Sequence, residues 1–327
     1  MTVPMESEPL SPPLRDSVDA VPSEGDEPPA IVSISDIHGY LEDAREALLT
    51  LRDHPEYEPV VTTDSDGQLH WADENYVLLF NGDLVDRGPN NEAVLAMVAR
   101  LIEEAPPGRV RVTLGNHEWM IMLPENFQFA DWYSTTASDD ERLQYLQWIA
   151  DGHVVAAYEG HAVTYAHAGA CEPYEATTVN ETLTEAAAEL EAAVGTPEES
   201  VLQSELPETY PTVLGTGDRG VKGPNAGLVW IKFDHLDPDS PPQVVGHTRQ
   251  SQPQTKGNVH CQDLLLKNRG SPGGQGVFVE TPDSLVALRR DSKGDVATET
   301  LVCPVQWNAD KYRSHTHDHH RLPKEHS

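Results

Sequence analysis

Four short apolar runs in this chain end in the same manner. "IVSIS" from Ile31 runs into Asp36-Ile37-His38-Gly39, and "YVLLF" from Tyr76 into Asn81-Gly82-Asp83-Leu84-Val85-Asp86-Arg87-Gly88. "VRVTL" from Val110 runs into Gly115-Asn116-His117-Glu118, and "AVTYA" from Ala162 into His167-Ala168-Gly169. A fifth cluster, Gly246-His247-Thr248, follows "QVV" from Gln243. Apolar runs this short, bounded by glycine and polar residues, read as strands. Helical periodicity appears between them at Leu41, Ala44, Leu48 and Leu51, at Val94, Met97, Val98, Leu101 and Ile102, and at Leu143, Leu146, Trp148 and Ile149. Strands alternating with helices predict an α/β architecture. The later runs, "GVFVE" at Gly276 and "LVALR" at Leu285, are expected to belong to a second, more antiparallel group. "VTTDSDGQLHW" carries the Asp-Gly of a tight hairpin.

Asp36 and His38 are two residues apart, and an extended segment points both side chains to one side. A carboxylate and an imidazole there suit one metal ion. With no thiolate in the set, borderline or hard divalent ions such as Mn, Fe, Zn or Ni are favoured. Two ions about 3.5–4 Å apart need a shared ligand, and a carboxylate such as Asp83 can bridge them. Taken singly, each piece has a structural explanation. Asp-x-His-Gly can be a helix entry, Asn-Gly-Asp a turn, and Gly-Asn-His-Glu a helix N-cap. Their joint occurrence, each after a strand, outweighs those explanations.

"SDIHG", "GDLVDRG", "GNHE", "HAG" and "GHT" together resemble the signature of the metallophosphoesterase superfamily, in its phosphoprotein phosphatase branch. The Asp-Arg-Gly continuation and the Glu after Asn-His mark that branch off from related nucleases. The resemblance covers about Ala30 to Arg290 and implies a four-layer α/β/β/α sandwich of two mixed β-sheets, with a di-metal site at the C-terminal ends of the strands. It implies Asp36 and His38 at one metal, Asn116, His167 and His247 at the other, and Asp83 bridging both. Hydrolysis would then proceed by in-line attack of a metal-bridging hydroxide. His117 resembles the general acid and Asp86 the carboxylate that orients it. Arg87 resembles the guanidinium that grips phosphate, with Asn116 beside it. Arg219, in "GTGDRGVKG", is the candidate for a second phosphate-binding arginine, with Arg249 behind it.

Three departures bear on substrate. Ser35 stands where the family usually has glycine, "HAG" replaces His-Gly-Gly, and "GHT" replaces the eukaryotic pattern. They point toward prokaryotic members, which include serine/threonine and dual-specificity protein phosphatases and symmetrical dinucleoside tetraphosphatases or other nucleotide phosphohydrolases. Manganese is the expected metal, and a phosphoprotein or small phosphorylated molecule the expected substrate. A catalytically silent metal-dependent binding module is disfavoured, because every ligand position is filled.

The 327 residues include 54 acidic against 22 basic, a formal net charge of -32. At about 1 M salt the Debye length falls to ~3 Å, so such self-repulsion suits concentrated brine, and a halophilic, haloarchaeal source is expected. No basic footprint offers itself to nucleic acid or to an anionic membrane. No long apolar run or leader is evident, so a cytoplasmic location is expected. Cys171, Cys261 and Cys303 lack metal or redox spacing and read as buried thiols.

Residues 1–29, rich in Pro, Ser, Glu and Asp, read as a disordered acidic segment, with the metallophosphoesterase domain over 30–303. Residues 172–215 read as an acidic insertion, a lid or a solvated excursion, with one helix through Leu183, Ala187, Leu190 and Val194 and Thr182 and Glu185 as its capping pair. The His-rich stretch 304–327 reads as a disordered polar tail.

Overall fold

A computed structural model describes residues 8–23, 27–72, 75–126, 131–217, 222–270 and 276–302. Arg219, Cys303, residues 1–7 and the 304–327 tail lie outside the described residues. The strands are β1 (Ala30–Ile34), β2 (Val61–Thr63), β3 (Leu69–Trp71), β4 (Tyr76–Phe80), β5 (Val110–Thr113), β6 (Val154–Val155) and β7 (Tyr158–Glu159). They continue with β8 (Thr164–Tyr165), β9 (Gln243–Val245), β10 (Gln254–Lys256), β11 (Val259–Cys261), β12 (Gly276–Thr281), β13 (Ser284–Arg290) and β14 (Val296–Val302).

Two mixed sheets result. The larger has the order β14-β13-β12-β1-β4-β5-β6, parallel from β1 to β6 and antiparallel from β1 back through β12 to β14. The smaller has the order β10-β11-β9-β8-β7, with β8, β9 and β11 parallel. The two antiparallel runs at Gly276 and Leu285 therefore extend the first sheet instead of forming the second. Their alternation specifies strands, whereas the free edge of β1 decides what they pair with.

Period-two alternation sorts the strand residues between two cores. Ile31, Val77, Leu79, Val155, Phe278, Leu285 and Ala287 of the large sheet pack with Val163, Tyr165 and Val244 of the small one, which fills the space between the sheets. Val32, Ile34, Leu78, Phe80, Val110 and Val112 face the other way, into a larger cluster shared with the helices Leu41–Leu48 and Asn91–Glu104. Burial on both faces explains why these strands are apolar throughout, as in "YVLLF".

The expected disorder of residues 1–29 is corrected over 8–23. Pro12–Asp16 is a short helix, and Val18 and Val21 are buried in the inter-sheet core. The buried Arg15 and Asp16 form a two-point ion pair, at 2.5 and 3.0 Å, and Asn180 donates to Asp16 at 2.8 Å. Two valines in an acid-rich stretch are too few to show a pattern, yet each fills a site between the sheets.

The acidic segment carries helices Ala176–Ala193, Glu199–Thr209 and Pro211–Leu214. Val179, Leu183, Ala187 and Leu190 join the main core, while its glutamates are exposed except Glu199, which pairs with Arg142. Thr182 is not a cap: the helix starts at Ala176, and the Thr182 hydroxyl donates to the carbonyl of Thr178 at 2.9 Å. Cys261 is buried, whereas Cys171 is only partly so. No helix among the described residues is long and apolar enough to cross a membrane.

Candidate active site

Parallel pairing brings the strand-end clusters together. Ile34 of β1 lies beside Phe80 of β4, so the residues that follow interlock: Asp36 N donates to the carbonyl of Gly82 at 3.0 Å, and His38 N to that of Asp83 at 2.8 Å. Asn116 and His117 open the helix Asn116–Met122 after β5, His167 follows β8, and His247 follows β9. All lie beyond the carboxyl ends of parallel strands, where open α/β sheets place their ligands.

The backbone here is held in a costly conformation. Asp36, His38, Asp83, Asp86, Arg87 and His247 all have φ between 50° and 73°; among the described residues only Lys222 and Asn225 join them as non-glycine residues with positive φ. Such left-handed residues cost of order 1–3 kcal/mol each and persist only where their surroundings over-determine them. Close approach enforces it: a Cβ on Gly115 would overlap Asp83, and one on Gly246 would overlap Asp36.

The side chains converge on Asp83. Its Oδ1 lies 3.4 Å from His167 Nε2 and its Oδ2 lies 3.4 Å from His38 Nε2. Asp36 Oδ1 is 3.8 Å from His38 Nε2, and Asn116 Oδ1 is 3.3 Å from His167 Nε2. Nδ1 of His38 donates to the carbonyl of Val85 at 2.9 Å and Nδ1 of His167 to that of Asn81 at 3.0 Å, so both rings turn Nε2 into the site. Two groups, His38-Asp83-His117 and Asp83-His167-His247, have ligand atoms close enough to hold a metal ion.

Electrostatics fit a pair of cations. Asp36, His38, Asp83, Asn116, His117 and His167 are all buried, and His247 nearly so. Burial, then the charge of Asp83, pushes the Asp36 carboxyl up. Against burial, the charges of His167 and His117 hold Asp83 well below the usual carboxylate range, and Asp83 in turn raises His167 to about 10. Burial, with the charge of His167 added, pushes His247 down, and its Nε2 is buried without a hydrogen-bond partner. An orphaned imidazole nitrogen beside carboxylates that a protonated histidine must balance is what a divalent cation would satisfy.

His117 Nδ1 lies 2.5 Å from Asp86 Oδ2, and its main-chain N donates to Asp83 Oδ1 at 2.9 Å. Arg87 reaches between the rings, Nη2 donating to His117 Nε2 at 3.0 Å and Nη1 touching His38 Nε2. Arg249 is exposed.

Three supporting residues have no counterpart in the residues chosen from sequence. Glu118 entered there only as a family marker, yet its buried carboxylate accepts from the main-chain N of Asp83 (2.8 Å), Leu84 (2.8 Å), Val85 (3.3 Å) and Gly115 (3.1 Å). Burial, then Asp83, raises it to about 8. Ser134 donates to Asp86 through its N at 2.9 Å and its hydroxyl at 2.6 Å, and its "WYSTT" setting offers no signal. Asp263 is buried with neither carboxylate oxygen hydrogen-bonded, its carboxyl pushed well up by burial and by Asp36 and Asp83. Reading "NVHCQD" as one more strand end would have found it.

Residues 29–186 match the family model of the calcineurin-like phosphoesterases. With the two mixed sheets and the His/Asp clusters, that match supports a phosphoesterase-type hydrolase; the family matched over those residues uses a divalent di-metal site. Among solved structures, the cold-active protein-tyrosine phosphatase of a psychrophilic Shewanella superposes with TM-score 0.57 at 20% identity, covering 90% of this chain and 85% of that one. A second structure of a cold-active protein tyrosine phosphatase gives 0.58 at 19%, covering 91% and 85%. A serine/threonine phosphatase from Saccharomyces cerevisiae gives 0.45 at 16%, covering 90% and 84%.

Proposed function

We propose that this chain is a metal-dependent phosphomonoesterase acting on phosphoproteins, at phosphoserine or phosphothreonine and, as a dual-specificity enzyme, at phosphotyrosine. The observation that carries the reading is the 2.5 Å Asp86–His117 pair standing beside Asp83, where both candidate metal groups meet. The Asp-Arg-Gly run after Asp83 and the Glu after Asn116-His117 support the protein-phosphatase branch.

Asp36, His38 and Asp83 would hold one ion, and Asp83, Asn116, His167 and His247 the other. Such ions supply Lewis acidity and lower the pKa of water. The rest falls to the side chains. Arg87 grips two phosphate oxygens with its planar fork, and Asn116 lies beside it; Arg219 is the proposed second guanidinium. As a water oxygen bonds to phosphorus and the ester P–O bond breaks, His117 gives its Nε2 proton to the departing oxygen. Alcohol and inorganic phosphate result, and the proton lost by the water restores His117. Arg87 Nη2 lies 3.0 Å from His117 Nε2, so the guanidinium that grips the phosphate stands beside the proton donor. Asp86 holds Nδ1–H and stabilises the imidazolium.

The donor set of carboxylates, imidazoles and an amide with no thiolate supports manganese, with Fe, Zn or Ni as substitutes. The charge of -32 supports a halophilic cytoplasm as the working environment and speaks against nucleic acid as a partner. Side-by-side turnover of phosphopeptides and diadenosine tetraphosphate in high salt tests the substrate assignment. Faster hydrolysis of the phosphopeptide is expected; a clear preference for the dinucleotide overturns it.

A further inference from the structure

Of three consecutive residues outside every strand-end motif, two contact the Asp86–His117 pair and the one between them bonds to a neighbouring helix. The Trp132 ring stacks on the His117 imidazole, centroids 4.8 Å apart and planes 28° from parallel. Ser134, two residues on, gives Asp86 both its main-chain N and its hydroxyl, at 2.9 and 2.6 Å. Between them, Tyr133 donates its hydroxyl to Glu141 Oε1 at 3.3 Å. Glu141 is itself fixed, because its Oε2 accepts from Ser138 N at 2.8 Å and Ser138 Oγ at 2.7 Å, closing the capping box of the helix Asp139–Ala150. The His117 and His38 rings also meet in a T-shaped pair, centroids 4.7 Å apart at 81°.

We propose that Trp132-Tyr133-Ser134 is a positioning clamp for the proton donor, anchored on the Asp139–Ala150 helix, and that Trp132 sets how well the enzyme handles poor leaving groups. This rests on the reading of His117 as general acid. The geometry leaves the ring little freedom. His38 packs against the ring, Asp86 holds Nδ1, and the indole stacks on it, so the direction of Nε2 is fixed by three neighbours. The flat indole also shields that face of the imidazole from solvent. Ser134 does for Asp86 what Asp86 does for His117: with two donors on the carboxylate, the oxygen facing Nδ1 has one orientation. Trp132 and Ser134 are therefore positioning residues, acting through His117 and Asp86.

The test compares p-nitrophenyl phosphate, whose leaving group departs without help, with phenyl phosphate, whose leaving group needs a proton. His117→Asn is the reference, expected to lose about 100-fold or more in kcat on phenyl phosphate and far less on p-nitrophenyl phosphate. Trp132→Leu is expected to show the same asymmetry at reduced size, on the order of tenfold on phenyl phosphate and under about threefold on p-nitrophenyl phosphate. Trp132→Phe should restore most of the loss, and Ser134→Ala should resemble Trp132→Leu, with metal content unchanged throughout. If His117→Asn shows no leaving-group dependence, the general-acid reading itself fails. If His117→Asn shows it but Trp132→Leu loses both substrates equally, or neither, only the clamp fails.

Discussion

Asp86 and His117 come from two different strand ends and meet at 2.5 Å, Oδ2 to Nδ1, with Ser134 donating twice more to the same carboxylate. Three donors thus share two oxygens, an arrangement only a carboxylate can satisfy. Asp86→Asn offers one oxygen and introduces an amide N–H among those donors. Turnover of phosphomonoesters with poor leaving groups is expected to fall by about 100-fold, with metal content unchanged. Elemental analysis beside the assay checks this; a variant that lost metal along with activity would make Asp86 a ligand instead.

Glu118 accepts from four main-chain N–H groups in the loops that hold Asp83. Gln turns one acceptor oxygen into a donor facing those N–H groups, and a buried donor without an acceptor costs about 1–3 kcal/mol. Glu118→Gln is therefore expected to shift Asp83 and weaken metal affinity, though Glu118 itself touches no metal position. Titration of metal into the stripped variant measures it, and unchanged affinity would show that the loop holds Asp83 unaided.

Glu280 ties the two sheets together. From β12 it accepts from Ala162 N at 2.7 Å, Val163 N at 3.1 Å and the Tyr165 hydroxyl at 3.0 Å. Burial raises its carboxyl from 4.5 to about 7, despite these donors. A raised value means that the folded chain binds the proton more tightly. The stabilising contribution is full below the unfolded value and is lost as pH rises through the folded one. Relative to Glu280→Gln, the wild type is expected to lose about 3 kcal/mol of stability as pH rises from about 4.5 past about 7. Denaturant midpoints of both proteins across that range decide it; a pH-independent difference would contradict it.

A chain with net charge -32 repels itself in dilute buffer. At about 0.1 M salt the Debye length is ~10 Å, against ~3 Å at 1 M. Dialysis to low salt is expected to unfold the protein, seen as lost helical circular dichroism and regained on return to brine. Retention of the full signal would remove the halophilic reading.

The residues of the candidate site were legible because each lies within a few positions of an apolar run, so motif and strand are read together. Asp36, His38, Asp83, Asn116, His117, His167 and His247 are brought together by β1, β4, β5, β8 and β9, and those strands show in the sequence as runs of Val, Ile, Leu and Tyr. Trp132 and Ser134 were not legible, because they sit in a short irregular stretch whose importance comes wholly from what it touches. Asp263 was hidden because β11, "VHC", is three residues long and too short for a pattern. Val18 and Val21 went unread for the same reason, and the sheet membership of β12 and β13 depended on a pairing that local pattern does not encode.

Whether this site works through metal is tested most directly by stripping the protein with a chelator, removing the chelator, and measuring phosphomonoester turnover before and after adding back manganese. The stripped wild type should be inactive and should recover as ions fill the proposed Asp36-His38-Asp83 and Asp83-Asn116-His167-His247 sets. Asp83→Asn, which weakens both groups at once, should neither retain the ions nor recover. A stripped wild type that turns over at its original rate, or an Asp83→Asn variant that keeps a full complement of metal, would contradict the di-metal assignment.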